Sequence, residues 1–270
     1  MSAIDTVFDE LRTADRTALI PFITAGDPDL SFTADVLRRL ADAGASVCEV
    51  GVPYSDPIAD GPVIQASYTR ALEDGISIEG LLGTLGKVAP TLSTPLVTMV
   101  SYAIVLRNGA EHYVEAAKEA GVAGAIIPDL PVDEAGQFAA ICRAADISLI
   151  QLVAPTTPRE RALRIAETSS GFLYYVSVTG ITGERSTFPA ELVENVAWLR
   201  AQASLPVCVG FGISTAEHVR QLAPVADGLI VGSAIVRRIA QSESKPRDQV
   251  LEEVGEFVAS LAAALNGTDG

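Results

Sequence analysis

Two acids, Glu49 and Asp60, stand at opposite ends of a stretch in which an apolar run gives way to a tight loop. Glu49 lies inside Ser46-Val47-Cys48-Glu49-Val50-Gly51-Val52-Pro53, and Asp60 closes Tyr54-Ser55-Asp56-Pro57-Ile58-Ala59-Asp60-Gly61-Pro62. An ionised carboxylate set among Val and Cys loses hydration unless something compensates, so burial tunes its acidity. One tuned acid beside a second is what a proton-shuttling site needs: one takes a proton while the other gives or relays one. Strand side chains alternate, which puts Cys48 and Val50 on one face and Glu49 with Gly51 on the other. Asp56, in an Asp-Pro pair, reads as a turn former. The plainer alternative makes Glu49 a satisfied structural carboxylate and Asp60 a turn residue before Gly61.

Phosphate capture has its own candidates in Thr182-Gly183, Gly210-Phe211-Gly212-Ile213-Ser214 and Val231-Gly232-Ser233-Ala234. Glycine lets backbone N–H groups approach an anion, and helices starting after Gly212 and Gly232 would aim positive dipole ends at it. Other chemistries lack their parts. The lysines, Lys87, Lys118 and Lys245, fall in helical or connecting segments rather than at strand ends, which disfavours a Schiff base. His112 and His218 read as helical and solvent-facing, so neither a histidine metal site nor a Ser-His-Asp arrangement assembles. Carboxylates and tyrosines remain for proton transfer.

The chain that must position these groups has 270 residues, 49% of them hydrophobic, enough for a substantial core. A formal charge of −15 argues against nucleic acid and leaves any phosphate to local donors. Cys48, Cys142 and Cys208 are isolated in sequence, as reduced buried thiols are. The start, Met1-Ser2-Ala3-Ile4-Asp5, carries no signal-peptide pattern and no run reaches membrane-spanning length, so a cytoplasmic protein is expected.

Apolar runs bounded by Gly, Pro or Asp recur near 18–24, 46–52, 95–101, 122–127, 147–153, 172–177, 206–210 and 226–231, with amphipathic segments between them. About eight βα units without a composition break predict one domain, residues 1–270, with 266–270 as a fraying tail. A closed parallel barrel is the leading architecture and an open doubly wound sheet the alternative. Val250, Val254, Phe257, Val258, Leu261 and Leu265 mark a packing helix that Asn266-Gly267 stops. Loops that follow barrel strands build the active face, which brings Pro53–Gly61 and Thr179–Pro189 together there.

Over nearly its whole length the chain resembles the tryptophan synthase alpha subunit family. The resemblance is carried by Pro21-Phe22-Ile23-Thr24-Ala25-Gly26-Asp27-Pro28, by Glu49 through Pro57 and by Asp60-Gly61-Pro62-Val63-Ile64-Gln65. Pro128-Asp129-Leu130-Pro131, Gly180-Ile181-Thr182-Gly183 and Gly210-Phe211-Gly212-Ile213 extend it in the same order. It implies an α/β (β/α)8 TIM barrel with extra N-terminal and loop helices. The implied activity is a lyase reaction of tryptophan biosynthesis, retro-aldol cleavage of indole-3-glycerol phosphate to indole and D-glyceraldehyde 3-phosphate. It further implies no cofactor or metal in this chain, and a beta subunit that carries pyridoxal phosphate and takes up the indole within an α2β2 heterotetramer. By the same resemblance Glu49 and Asp60 are catalytic, Phe22 lines the indole pocket, Tyr174 sits near Glu49, and Gly183, Gly212, Gly232 and Ser233 grip phosphate. Two positions depart from the family pattern. Ser101-Tyr102-Ala103-Ile104 does not match the usual Tyr-x-Asn-Pro, which leaves Tyr102 outside the site, and Val178 follows Ser177 where an Arg is common.

The rivals are another phosphate-binding barrel, the indole-glycerol-phosphate synthase, whose ring closure depends on lysine; a metal aldolase or epimerase, which needs histidines; and an activating subunit that only docks.

Overall fold

The computed structural model describes residues 2–57, 60–176, 188–210 and 212–267. Its strands β1 (Ala18–Thr24), β2 (Cys48–Gly51), β3 (Leu96–Met99), β4 (Val122–Ile126), β5 (Ser148–Val153), β6 (Leu173–Val176), β7 (Val207–Gly210) and β8 (Gly228–Val231) pair in parallel and in sequence order. β8 returns to β1 through Ala18↔Gly228 to Pro21↔Val231, so the sheet is a closed barrel and the open-sheet alternative falls. All eight sequence-expected runs are strands. Several are shorter than their apolar runs, because flanking residues such as Val52 and Val100 are buried without continuing the strand.

Helices cover the outside: α1 (Ala3–Thr13), α2 (Leu30–Asp42), α3 (Pro62–Glu73), α4 (Ile78–Val88), α5 (Tyr102–Asn108), α6 (Ala110–Glu119), α7 (Val132–Ala144), α8 (Arg159–Thr168), α9 (Ala190–Gln202), α10 (Ala216–Leu222), α11 (Ser233–Ile239) and α12 (Arg247–Asn266). Local chemistry starts and stops them. Asp29 and Ser77 accept backbone N–H bonds at the heads of α2 and α4, and Gly267 ends α12 in the left-handed conformation, as the Asn-Gly pair predicts. None of these helices is long and apolar enough to cross a membrane. His112 is exposed on α6, as expected. His218 on α10 is half-buried, its ring 5.2 Å edge-on from Phe188, which corrects the solvent-facing assignment.

Alternation along the strands divides the interior in two. Outward residues such as Cys48, Val50, Leu149 and Val209 pack against the helices, while Val47, Val97, Ile126, Ile150, Phe172 and Ile230 fill the lumen. α1 stoppers the lower end. Its capping box of Ser2 and Asp5 fixes the first turn, the Ser148 hydroxyl donates to that of Ser2 at 3.1 Å, and Phe8 meets Phe172 at 5.7 Å between ring centres. Ile4 fits because Gly124 and Gly171 carry no side chain: a Cβ on Gly124 would lie 2.8 Å from its Cδ1. The lower end of the lumen is therefore closed by packed side chains, which leaves the C-terminal ends of the strands as the open side.

Phe8 is 4% exposed and belongs to the luminal cluster, where it meets Phe172. Phe8→Ala should cost roughly 3–5 kcal/mol of stability without abolishing the fold, read as a lowered urea midpoint by circular dichroism.

Candidate active site

Glu49 sits on the luminal face of β2, Cα-paired with Phe22 of β1 and Val97 of β3, and is fully buried. Val47 belongs to the luminal cluster that also contains Ile4 and Phe8 of the stopper. Neither carboxyl oxygen has a hydrogen-bond partner among the described residues. Burial, and secondarily the charge of Asp60, push its pKa up to about 8. At neutral pH Glu49 therefore holds its proton, as an acid that can give one and take one back must.

Asp60 lies just before α3, whose first turn opens at Gly61-Pro62. It is half-buried, and burial raises its pKa while the Tyr54 hydroxyl, donating at 3.4 Å, pulls the other way. Gln65 holds the loop by donating through Nε2 to the Asp60 carbonyl at 2.7 Å. Helix α3 is in turn fastened to the end of β1. The Thr24 and Ser67 hydroxyls meet at 2.6 Å in the interior, and Arg70 makes a two-pronged pair with Asp27 at 2.9 and 2.7 Å. The second acid is thus placed over the first by contacts in sequence-distant segments.

Phe22 and Tyr174 also face the mouth and are buried. The Phe22 ring lies between two glycines: a Cβ on Gly51 would come within 2.8 Å of its Cε2, and one on Gly232 within 3.4 Å of its Cδ1. Tyr174 on β6 needs Gly210 in the same way, since a Cβ there would stand 2.6 Å from its ring carbons. With Ile64, Tyr68 and Val236, Phe22 forms an apolar wall above Glu49.

The glycine candidates lie at the rim. Gly232 caps α11 and Ser233 begins it, exposed to solvent. Gly212 takes φ +74°, in the region that favours glycine, but α10 starts only after Thr215, whose side chain accepts from the His218 N–H. The helix expected directly after Gly212 is thus set back by a short turn. Gly183, Thr182, Ser177, Val178 and Phe211 lie outside the described residues.

Tyr102, which the sequence reading leaves outside the site, contacts α7 and the Asp129 turn. Its hydroxyl donates to Glu134 at 2.8 Å and its ring meets Phe138, while Asp129 clasps the turn, accepting from Tyr102 N at 2.7 Å and from the Ser101 hydroxyl at 2.8 Å. Sequence reasoning overlooked Tyr54 and Tyr68. The signal for Tyr68 was its spacing: it falls four residues after Ile64 on α3, on the same helix face. Among the described residues no three or more His, Cys, Asp or Glu side chains gather as a metal site would.

The family model described as tryptophan synthase alpha chain matches residues 8–266. A tryptophan synthase alpha chain from Rhodopirellula baltica is 54% identical, over 98% of this chain and 99% of the relative. The crystal structure of tryptophan synthase subunit alpha from Legionella pneumophila superposes with a TM-score of 0.90 at 34% identity, covering 99% of each chain. A chain from the structure of M. tuberculosis tryptophan synthase in its aminoacrylate-bound form superposes with a TM-score of 0.86 at 32% identity, over 98% of this chain and 100% of that one.

The buried acid leaves a mark on stability. Unfolded, Glu49 ionises near its ordinary 4.5; folded, it keeps its proton up to about 8. Between these values the folded state holds a proton the unfolded chain has released, so this group's contribution falls as pH rises from about 4.5 and levels off above about 8. Glu49→Gln, neutral throughout, should remove that slope and exceed the parent by up to a few kcal/mol near pH 8.5, the gap closing toward about pH 4.5. Urea midpoints of both proteins across that range check it.

Proposed function

The chain belongs to the tryptophan synthase alpha chain family, and from that premise we propose how its barrel mouth carries out the reaction. It is a lyase of tryptophan biosynthesis. The substrate in this reading is indole-3-glycerol phosphate, cleaved to indole and D-glyceraldehyde 3-phosphate by a single barrel domain spanning the chain. The observation that carries it is Glu49: a fully buried acid on the luminal face, both oxygens without a partner among the described residues, with Asp60 close enough to raise its pKa.

Retro-aldol cleavage must send the electrons of the breaking C–C bond somewhere, and here the indole ring takes them. Asp60 removes the ring N–H proton while protonated Glu49 delivers its proton to ring carbon 3, giving an indolenine with a C=N bond. Glu49, now ionised, takes the proton of the side-chain hydroxyl as the aldehyde forms. The C–C electrons pass into the ring, the C=N electrons return to nitrogen, and Asp60 gives its proton back. Both acids end as they began. Acid-base roles of this kind each contribute about 10²–10⁴-fold in rate.

Phe22 and its apolar neighbours support an indole subsite, and Tyr174 a contact with the glycerol portion beside Glu49. Gly212, Gly232 and Ser233 at the rim supply backbone and hydroxyl donors for phosphate, with Gly183 assigned to the same task by family resemblance. The chain itself uses no cofactor in this reading. Its partner is a tryptophan synthase beta subunit that holds pyridoxal phosphate and consumes the indole in a cytoplasmic α2β2 assembly.

Glu49→Gln and Asp60→Asn should each fold and lose roughly 10²–10⁴-fold of indole release from indole-3-glycerol phosphate. Indole is measured with the chain alone and again with a beta subunit, where a large gain is expected from the parent. Parent-like turnover in either variant removes that residue from the mechanism, and no release by the parent in both settings leaves a docking subunit instead.

A further inference from the structure

Tyr68 presents a second buried group with nothing to bind. It is 1% exposed, and its hydroxyl has no hydrogen-bond partner among the described residues. Leaving a buried hydroxyl unpaired is costly, and the cost is recovered only if an acceptor comes to it. Gly51 shows where that hydroxyl lies. A Cβ added there would stand 2.7 Å from the Tyr68 oxygen, so the hydroxyl occupies the space that the missing side chain leaves. Gly51 and Glu49 share one face of β2, about 6.6 Å apart along the strand. A glutamate, with three rotatable bonds, can turn along the strand and cover much of that distance.

Other groups face the same space. Asp60 and Tyr54 reach it from the loop between β2 and α3 and Tyr174 from β6, while Cys208 of β7 lies lower, against Gly228 and Ala18. Asp60 already accepts from Tyr54 and is not fully buried. Cys208 is a weak donor whose thiol is kept protonated by burial. Among the described residues on this side of the barrel, Glu49 is a fully buried acceptor without a donor and Tyr68 a fully buried hydroxyl without an acceptor. Ser67–Thr24 and Arg70–Asp27 hold the stretch of α3 on both sides of Tyr68, so its ring is fixed and the acid is the part that moves.

We propose that Tyr68 is a positioning residue for Glu49: its hydroxyl donates to the Glu49 carboxylate during the interval in which that carboxylate is ionised. The inference rests on the reading of Glu49 as the proton shuttle. In that cycle Glu49 is charged only between protonating ring carbon 3 and receiving the hydroxyl proton. Tyr68 gains and loses no proton; it lowers the cost of a buried charge and keeps the carboxylate aimed up the strand toward the substrate.

The test pairs a titration with kinetics. The carboxyl stretching band of Glu49, identified by its loss in Glu49→Gln, is followed by infrared difference spectroscopy against pH in the full chain. Tyr68→Phe keeps the ring and its packing. It should raise the Glu49 midpoint by about one pH unit, lower kcat about tenfold with KM nearly unchanged, and move the alkaline limb of the rate profile upward. Replacing Tyr68 with 3,5-difluorotyrosine, a stronger donor of nearly the same size, should move the midpoint the other way; this second variant decides the matter if Tyr68→Phe fails to fold. An unmoved midpoint overturns the inference even if kcat falls, because a tyrosine that only shapes the pocket would behave so, and a shift in the Asp60 band instead overturns it too. A parent that releases no indole while the midpoints shift as stated would count against the proposed reaction and not against this contact.

Discussion

Desolvation of one carboxyl group is the constraint around which the barrel is organised. Glu49 is buried with no hydrogen-bond partner among the described residues, and an acid so placed stays neutral because ionising it would mean stripping water from a charge. That environment is made by parts far from the mouth: Val47 below it, the packed luminal residues of the seven other strands, and α1 closing the bottom. A loosely filled lumen would admit water and return the acid toward ordinary acidity. Core packing and the acidity of Glu49 are thus one property in this chain.

The second acid depends on a different kind of order. Asp60 lies in a loop, and loops position side chains poorly unless their ends are fixed. Here the far end is α3, held to the end of β1 by the Thr24–Ser67 hydroxyl pair and the Asp27–Arg70 ion pair. Arg70 is only partly exposed and its partner is nearly buried, so this pair escapes most of the screening that makes surface ion pairs weak. Glycines do the complementary work of removing obstacles, with Gly51, Gly210 and Gly232 each leaving room for an aromatic ring that belongs to the site.

Much of this architecture could be read from the residue pattern, and the reasons are physical. Parallel strands buried on both faces are near-continuous apolar runs, so each of β1 to β8 announced itself, and an acid inside one of them was conspicuous. Strand alternation separated Glu49 from Cys48 and Val50, but that its face is the luminal one is visible only from the packing of the closed barrel. Strand ends were less clear, because burial continues past the last paired residue, as at Val52. The tyrosines escaped notice for another reason. Tyr68 looks like an ordinary core residue of an amphipathic helix, and only the closeness of Gly51 reveals that its hydroxyl faces the lumen. The half-burial of His218 likewise needed Phe188, thirty positions away, to become visible. Pairings between distant segments, such as Arg70 with Asp27, leave no periodic trace in a chain.

Ile4, seated against Gly124 and Gly171, turns the barrel into a vessel with a floor. A through-channel would let a small aromatic fragment escape by either end. A floored one offers a single exit, so whatever is released beside Glu49 must travel back past the upper loops, and a receiver docked across that rim would intercept all of it.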